Sequence, residues 1–454
     1  MPSPLSPDAA VAICRQLLAM RAAERHELDE IRAYWLGEQP LPIAPVGVPE
    51  DVRRMAKMAR VNVCGLVVNV PAQSMFVVGI RDNNAPPGEN DPLWSVWQAN
   101  KMDARQSAVH RATFAYGTAY EVLLPGQPEP VSKGRTPRQM TAAYGDDPDW
   151  PEYAIEALVA RDGSTYYELY DDVAVYTLVE DAEAAKQANE PFHPVFVSLS
   201  EHGAGVCPVV RFVNLEDLER TPHSEITPIM PLQDQLDFTT FDLLVAQHFG
   251  AFRQRYILGW TSEDENEKVK AAASRLWTFD DDSKTIQVGE FDQTDLSGYL
   301  DSRKATLEHF GVISQVPPHN LLGQMVNLSA EALVAAEASA NRKNADRETT
   351  LGESWEQWFW LAGKYKGQIL GDGAQVRWRD TEARSLAQTV DALGKMAQML
   401  GVPAEALWSR IPGVTQQDVE EWKAMRSSDA LAGLFASVDR QMASDVSQDP
   451  APAV

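Results

Sequence analysis

The chain has 454 residues, 44% of them hydrophobic and 23% charged, which is the composition of a globular protein, and its length predicts about three domains. Its 40 Lys and Arg against 65 Asp and Glu give a formal net charge of −25, which argues against a tight sequence-reading DNA-binding protein because such proteins need many basic phosphate contacts. Three cysteines without a CxxC spacing (Cys14, Cys64 and Cys207) exclude a disulfide framework and a cysteine-rich zinc site, and they fit a reducing compartment.

Four helices are predicted before residue 118. The first begins at the cap signal Ser6-Pro7-Asp8 and continues, with apolar residues at helical spacing, to Gly37. A second is expected near 50–72 and a fourth from Asp103 to about Tyr116. The third begins at Asp91-Pro92 and turns three apolar residues inward: Leu93, Val96 and Trp97.

Residues 118–213 change period and predict a mainly antiparallel sheet region, because short runs of β-branched and aromatic residues follow one another there. Asp162-Gly163 between two of the runs is a hairpin turn signal. Residues 126–150 are polar and predict a flexible loop. The expected strands are 118–124, 153–160, 164–170, 173–179, 195–199 and 208–213.

Helical period returns in two helices, 225–250 and 294–314, which flank a short mixed segment, 251–293. A polar, non-periodic loop, 315–328, follows them. Helical period then continues from 329 to 365, roughly 55 Å at about 1.5 Å per residue.

The end of the chain is predicted to be mainly helical. A strand at 374–380 precedes helices that begin near Leu386 and at Thr415, and the tail from about 440 is polar and predicted to be disordered. No stretch of about 18 apolar residues lacks a charge, so no membrane span is expected.

Motifs that carry chemistry are sparse. The sequence has no phosphate-binding loop, dinucleotide fingerprint, nucleophile elbow or zinc-protease motif. Asp280-Asp281-Asp282 has two interpretations, a divalent-cation site of a nuclease and an acidic surface turn. Adjacent acids point in different directions on an extended chain, which favours the turn.

Aromatic and basic clusters have similar alternatives. Trp355, Trp358 and Trp360 are candidates for base stacking, but the helical spacing of the first two is more typical of packing anchors. The bases of the second helix (Arg53, Arg54, Lys57 and Arg60) are candidates for phosphate contact or for a solvated helix face. A further cluster lies on the long helix: Arg342, Lys343 and Arg347.

The order of these parts resembles the portal proteins of tailed bacteriophages, especially those of actinobacteriophages, over about residues 90–430. Seven strings are similar to that family: LWSVWQANKMDA (93–104), HRATFAYGTAY (110–120), PLQDQLDFTTFDLLVAQHFGAFRQR (231–255), NLSAEALVAAEA (327–338), LGESWEQ (351–357), VRWRDTEARS (376–385) and VPAEALWSRIPGVTQQDVEEW (402–422).

The resemblance implies a fold class and a domain map. The fold would be α+β and predominantly helical, with the wing, stem, clip and crown of a portal, one very long helix and an antiparallel sheet region. The implied parts are a wing at 1–224 with its β-rich region at 118–213, stem helices at 225–250 and 294–314, a clip at 251–293, a tunnel loop at 315–328, a long helix and return to the wing at 329–380, a helical crown at 381–440 and a disordered tail at 441–454.

The implied function is structural. Portal proteins form a ring of about twelve subunits at one capsid vertex, through which double-stranded DNA is packaged and ejected. The implied partners are other copies of this chain, transiently bound DNA, the terminase large subunit as packaging motor, the head–tail adaptor, and the major capsid and scaffold proteins. The resemblance implies no enzyme activity, cofactor, metal or membrane. It implies residence at the portal vertex of the virion, after assembly in the host cytoplasm.

The tunnel loop is where the resemblance places contact with DNA. It has no Lys, Arg, Asp or Glu, and its neutral donors suit weak contacts with a sliding duplex. The candidate residues are Gln315, His319, Asn320, Gln324 and Asn327. The basic cluster of Arg342, Lys343 and Arg347 is expected to pair with acids of a neighbouring subunit or to face DNA.

Two other functions stay open from the sequence. One is a metal-dependent nuclease or phosphotransferase that uses acidic residues such as Asp280–Asp282. The other is a non-portal virion adaptor or scaffold protein, which does not explain the order helix, clip, helix, loop and long helix.

Overall fold

The computed structural model of the chain describes residues 3–43, 47, 49–82, 93–215, 217–219, 221–250, 255–258, 276–279, 287–290, 295–322, 330–368, 370–371, 373–379, 386–408, 410–411, 414, 418–419 and 421–426. The chain forms two compact units. The first contains Met1–Gln73 and Ser107–Gln368, and the second contains Ser74–Gln106 and Ile369–Val454.

The described residues form a mixture of helices and strands. The helices are α1 (Pro7–Leu36), α2 (Glu50–Ala59), α3 (Cys64–Ser74), α4 (Trp94–Ala99), α5 (Met102–Tyr116), α6 (Ala182–Ala188), α7 (Met230–Gly250), α8 (Ser297–Ser314), α9 (Pro318–Leu322), α10 (Ala330–Lys366), α11 (Leu386–Leu400) and α12 (Ala404–Trp408). The strands are β1 (Val77–Arg81), β2 (Thr118–Leu124), β3 (Val131–Arg135), β4 (Met140–Ala143), β5 (Tyr153–Val159), β6 (Thr165–Tyr170), β7 (Ala174–Glu180), β8 (Pro194–Glu201), β9 (Val209–Val213), β10 (Arg255–Leu258), β11 (Leu276–Phe279), β12 (Gln287–Glu290) and β13 (Gln375–Trp378).

Helix α1 confirms the first prediction at both ends. The Ser6 hydroxyl accepts a hydrogen bond from the Ala9 amide at 3.3 Å, and Pro7 occupies the first turn, where its missing N–H costs nothing. Gly37 ends the helix in the left-handed conformation with φ 73°. The apolar face of α1 packs on one side of the sheet region, through Leu17 and Leu18 among others.

The helix expected near 50–72 is two helices, so this prediction was wrong. The chain is extended at Arg60, which separates α2 from α3. The Arg60 guanidinium donates hydrogen bonds to the backbone carbonyls of Gly37 and Gln39. The next amide, that of Val61, donates to the Asp237 carboxylate at 3.1 Å. These long-range bonds satisfy polar groups that a continuous helix would use internally, and tertiary contacts routinely override local propensity.

The region 118–213 is antiparallel, as predicted, and it contains two sheets. One has five strands in the order β4-β5-β6-β7-β8, and the other has three in the order β3-β2-β9. Asp162-Gly163 closes the β5–β6 hairpin, because the Asp162 carboxylate accepts from the Ser164 amide at 3.0 Å and Gly163 has φ 86°. The two sheets share a buried cluster that includes Tyr120 and Tyr170.

The flexible loop expected at 126–150 contains strands β3 and β4, and this prediction was wrong. Strand β3 pairs along β2, with Val122 opposite Lys133. Its polar residues are used inside the protein: the Ser132 hydroxyl bonds to the buried Glu121 carboxylate at 2.5 Å and accepts from the Trp358 indole at 2.8 Å. A strand that buries polar side chains against a distant helix has no hydrophobic alternation to reveal it. Helix α6 was also not predicted.

Helix α10 is continuous over 37 residues, as expected for 329–365, and Gly352 does not interrupt it. It packs against β9 and β2, where Trp355 meets Phe212 with ring centroids 4.6 Å apart. The helices expected at 225–250 and 294–314 are α7 and α8, which pack on each other. Between them, in the mixed segment expected at 251–293, β10 pairs in parallel with β11 and antiparallel with β12.

The second unit contains α4, β1, β13, α11 and α12. Leu93, Val96 and Trp97 are buried, as their spacing predicts, and the Trp97 indole donates to the Asp103 carboxylate at 2.9 Å. The strand expected at 374–380 is β13, which pairs antiparallel with β1. Helix α11 ends before Gly401, whose φ is 67°. The cap at Asp91-Pro92, the helix start at Thr415 and the polar tail lie outside the described residues.

Candidate functional site

A buried polar cluster joins four parts of the first unit, and we call it the Glu225 junction. It consists of Asn214 after β9, Glu225 before α7, Ser314 at the end of α8, and Lys343 and Arg347 on α10. The side chains of Glu225 and Arg347 are only 5% and 4% exposed. A charged cluster at this depth is stable only when its members pair with one another.

Hydrogen bonds to neighbouring backbone carbonyls fix the main chain around Glu225. The Glu225 amide donates to the Phe114 carbonyl at 2.9 Å, and the Ser224 hydroxyl donates to the Ala115 carbonyl at 2.6 Å. Asn214 bonds through its side-chain amide to the His223 carbonyl at 2.7 Å and to the Glu225 carboxylate at 2.9 Å. The carboxylate therefore has a defined direction, toward α10.

Two cations meet the single carboxylate. Arg347 Nη2 lies 2.5 Å from Glu225 Oε1, and Lys343 Nζ lies 2.6 Å from Glu225 Oε2. Burial acts to raise the pKa of Glu225, but the charges of Arg347 and Lys343 and the hydrogen bonds to the carboxylate outweigh it, and the pKa is lowered. Burial lowers the pKa of Lys343, against the attraction of Glu225.

The two cations make different further contacts. Arg347 bonds to Asn214 Oδ1 at 3.2 Å, to Asn344 Oδ1 at 3.1 Å, and lies over the ring of Phe114 at 4.5 Å. Lys343 instead donates to the Ser314 carbonyl at 3.3 Å, which is in the last turn of α8. Arg347 thus connects α10 to the start of α7, whereas Lys343 also connects it to the end of α8.

The expectation for the basic cluster of α10 needs correction. Lys343 and Arg347 pair with an acid of the same chain, because folding brings Glu225 to them across more than a hundred residues. Arg342 differs from both: it is exposed, and its Nε donates to the Ala338 carbonyl one turn back at 3.2 Å. Sequence reasoning missed Glu225 and Asn214, since no local pattern marks an acid whose partners lie so far along the chain.

The described start of the predicted tunnel loop follows the Glu225 junction directly. Gln315 ends α8 in the left-handed conformation with φ 58° and is exposed. Residues expected as loop form the short helix α9, which Pro318 begins and in which the Asn320 amide donates to the Pro317 carbonyl at 3.0 Å. Proline at the first position favours this helical turn. Asn320 is exposed.

Among the candidate loop residues that the structure describes, His319 approaches α10 through its side chain. Its Nε2 lies 3.8 Å from Glu337 Oε1, and its side chain is 14% exposed. The other two candidate loop residues, Gln324 and Asn327, lie outside the described residues. Gln315, His319 and Asn320 thus lie in one short described segment, in which His319 approaches α10.

The tryptophans of α10 are packing residues, as the favoured interpretation predicts for two of them. Trp355 and Trp358 are fully buried, and the Trp355 indole donates to His110 Nε2 at 3.0 Å. Trp360 is half-buried, and its ring centroid lies 5.4 Å from that of Trp150.

The basic residues of α2 also favour the solvated interpretation, whereas Arg60, which follows the helix, does not. Arg53 is exposed and pairs with Glu50 at 3.3 Å, and Arg54 and Lys57 are exposed. Arg60 is half-buried and bonds to backbone carbonyls, as described above. An ion pair as exposed as that of Arg53 and Glu50 contributes little to stability.

The described residues offer no metal centre. Within them, no three His, Cys, Asp or Glu side chains are grouped so as to hold a metal ion. Asp280–Asp282 lie outside the described residues. All three cysteines are free and buried, and burial raises the pKa of Cys14 and of Cys64 to about 12. No described helix has both the length and the apolar character required to span a bilayer.

The sequence profile of the family described as phage portal protein, SPP1 Gp6-like, matches residues 15–430. The portal protein of Mycobacterium phage L5 is 24% identical over 421 residues, which is 86% of this chain and 82% of that protein. The portal protein of Mycobacterium phage D29 is 24% identical over 417 residues, 86% of this chain and 83% of that protein.

Two solved structures are also similar. A chain from the virion of a native gene transfer agent particle is 12% identical, with a TM-score of 0.47 over 82% of this chain and 99% of that chain. A chain from the neck of an empty particle of that kind is 11% identical, with a TM-score of 0.45 over 79% of this chain and 96% of that chain.

Proposed function

This chain belongs to the SPP1 Gp6-like family of phage portal proteins, and from that premise we propose that it forms a closed ring at one capsid vertex through which double-stranded DNA passes. The match to the family profile over residues 15–430 is the observation that carries the proposal. We propose a ring of about twelve subunits, built by head-to-tail contacts that close on themselves.

The described elements supply candidates for each part of the ring. Helices α7 and α8 would form the stem, and strands β10–β12, which lie between these helices along the chain, would form the clip. The sheets of 118–213, with α1, would belong to the wing, and α11 and α12 to the crown. Family membership and the order of the elements along the chain support this assignment.

We propose that the tunnel loop, 315–328, is the part nearest DNA. About twelve copies of a chain with net charge −25 carry roughly −300, and such a field repels a duplex. The loop itself has no Lys, Arg, Asp or Glu. Weak neutral contacts let DNA slide, whereas each basic phosphate contact would add affinity and drag.

The proposed partners follow from the same premise. They are the terminase large subunit and then the head–tail adaptor at the clip, and the major capsid and scaffold proteins around the ring. The family is structural, and we propose that the chain itself has no catalytic activity. Assembly in the host cytoplasm, before the ring becomes part of the virion, completes the proposal.

Electron microscopy of the purified chain in negative stain, with mass photometry of the same sample, tests the ring. We expect particles with a central hole and a mass near about twelve times 50.2 kDa. Isolated chains that form no ring, even with capsid and scaffold proteins present, would refute the proposal. Cleavage of plasmid DNA that requires Mg²⁺ would support the nuclease alternative instead.

A basic residue in the tunnel loop is expected to impair DNA movement. In a phage that carries Gln324→Lys or Asn327→Lys, we expect shorter packaged DNA or slower ejection, because each subunit of the ring would add a basic contact to a DNA phosphate. Packaged length is measured by gel electrophoresis and ejection by DNA release. Gln187→Lys, an equal change at an exposed residue of α6, is the control and should behave as wild type. Normal packaging and infectivity in both loop variants would contradict the role of the loop.

A further inference from the structure

We infer that Lys343 is a positioning residue for the tunnel loop: it fixes the direction in which the chain leaves α8 and ties the start of the loop to the long helix. This inference rests on the proposed function only for the loop's role beside DNA. The positioning itself depends on contacts within one chain.

The first observation is the site of contact. Lys343 Nζ donates to the Ser314 carbonyl, and Ser314 is the last residue of α8. The final carbonyls of a helix lack partners within the helix and carry its negative dipole end, so an ammonium group there is both a cap and a favourable charge. The next residue, Gln315, has the left-handed conformation with φ 58°, which ends the helix. The contact of Lys343 with Ser314 therefore lies at the point where the chain turns away from α8.

The second observation is the charge balance of the Glu225 junction. The junction holds two cations and one carboxylate, and Arg347 and the Asn214 amide both bond to Oε1 of Glu225, at 2.5 and 2.9 Å. The pair of Arg347 and Glu225 would remain neutral and hydrogen-bonded if Lys343 were absent. The positive charge of Lys343 is therefore in excess of what the Glu225 carboxylate needs for neutrality. The contact that Lys343 makes and Arg347 does not is the one with the Ser314 carbonyl.

The third observation is that Ser314 is held from both sides. Its hydroxyl donates to the Phe310 carbonyl at 2.6 Å and accepts from the Val316 amide at 3.3 Å, and the residue is buried. A second contact between the loop and α10 lies further on, where His319 approaches Glu337. The first half of the loop thus approaches α10 at two places, and the contact of Lys343 with Ser314 is the one at hydrogen-bond distance, 3.3 Å against 3.8 Å.

Hydrogen exchange of the full-length chain tests the inference, with Lys343→Met as the variant. We expect the amides of 315–322 to exchange about tenfold faster than in wild type, because a hydrogen bond from a charged donor is lost there. The melting temperature should fall less than in Glu225→Ala, since the Glu225–Arg347 pair remains although Glu225 Oε2 loses its bond to Lys343. Lys343→Arg keeps a charged donor and should retain most of the protection.

Arg342→Met is the matched control. It removes the same charge from the neighbouring residue of the same helix, but Arg342 contacts only its own helix among the hydrogen bonds described. Unchanged exchange in Lys343→Met, an equal increase in Arg342→Met, or faster exchange across the whole chain would overturn the inference. If Lys343→Met does not fold, Lys343→Gln, whose shorter side chain ends before the Ser314 carbonyl, takes its place with the same expected result.

The yield of DNA-filled particles separates this inference from the proposed function. Faster exchange together with fewer filled particles in Lys343→Met, but not in Arg342→Met, would support both. Faster exchange with a normal yield would support the positioning role of Lys343 and count against contact between the loop and DNA. A failure to form rings in the wild-type chain would refute the proposed function and leave the exchange result valid.

Discussion

Glu225→Ala is expected to lower the free energy of unfolding of the first unit by about 3–5 kcal/mol, because it leaves the buried Arg347 and the largely buried Lys343 without their counter-charge. Lys343 and Arg347 both lie within 2.6 Å of this carboxylate, and their side chains are only 12% and 4% exposed to solvent. The loss also removes an acceptor from the Asn214 amide. Urea denaturation of the purified chain, followed by far-UV circular dichroism, measures the change.

Asp217→Ala is the control for Glu225→Ala. Asp217 lies in the same connecting segment and pairs with His223 at 2.8 Å, but both side chains are well exposed. An exposed pair contributes little because water screens it, so this variant should unfold much as wild type does. Equal losses in the two variants would contradict the buried, coupled character of the Glu225 junction.

The pH dependence of stability provides a second measurement on the same residue. Since the pKa of Glu225 is lower in the folded chain than its ordinary value, ionised Glu225 stabilises the fold. This contribution is fully present above the pKa of the carboxyl in the unfolded chain and is lost as the pH falls through the lower folded pKa. We expect stability to fall less steeply with acid in Glu225→Ala than in wild type. Parallel curves would mean that the junction does not depend on this charge.

Trp358→Ala is expected to have an effect of similar size, about 3–5 kcal/mol, through a cavity in the core. Trp358 is fully buried, packs against Trp355 and Phe359, and donates its indole N–H to the Ser132 hydroxyl at 2.8 Å. The truncation would therefore remove apolar contact and a buried hydrogen bond together. The same denaturation experiment measures the loss.

Trp360→Ala is the matched control, two residues away on the same helix. Trp360 is half-buried and meets Trp150 at the edge of the core, so its removal should cost about 1 kcal/mol, the range of one aromatic pair. Trp358→Phe should fall between the two, because it keeps the ring volume in part and loses the indole N–H. A loss in Trp360→Ala as large as in Trp358→Ala would contradict the packing that we describe for α10.

Local signals in the sequence predicted the elements whose boundaries depend on local chemistry. Gly37 and Gly401 end helices because a left-handed residue is needed there, and Asp162-Gly163 forms a turn through its own side chain and backbone. The predictions failed where distant residues decide. The helix expected near 50–72 is interrupted at Arg60, where the next amide, that of Val61, bonds to Asp237 instead of a helical carbonyl. Residues 131–135 and 140–143 are strands because β2 and β5 are available to pair with them.

The candidate site shows the same division. The sequence marks Arg342, Lys343 and Arg347 as a cluster, but it does not reveal that two of them turn inward and one outward. Their difference depends on Glu225, which only the folded chain brings near. Helical spacing identified Trp355 and Trp358 as core residues, since that signal lies within a single element.

The unbroken length of α10 has a mechanical consequence. An α-helix resists bending over several turns, so a load on one end reaches the other without being absorbed between them. Lys343 and Trp358 are separated by fifteen residues, or roughly 22 Å of helix at about 1.5 Å per residue. A displacement of the segment 315–322 would first strain the contact between Lys343 and the Ser314 carbonyl. The helix would then transmit the strain to Trp358 and its hydrogen bond with Ser132. The 37 residues of α10 thus join the contact at Ser314 and the aromatic packing on β2 and β9 in one continuous helix.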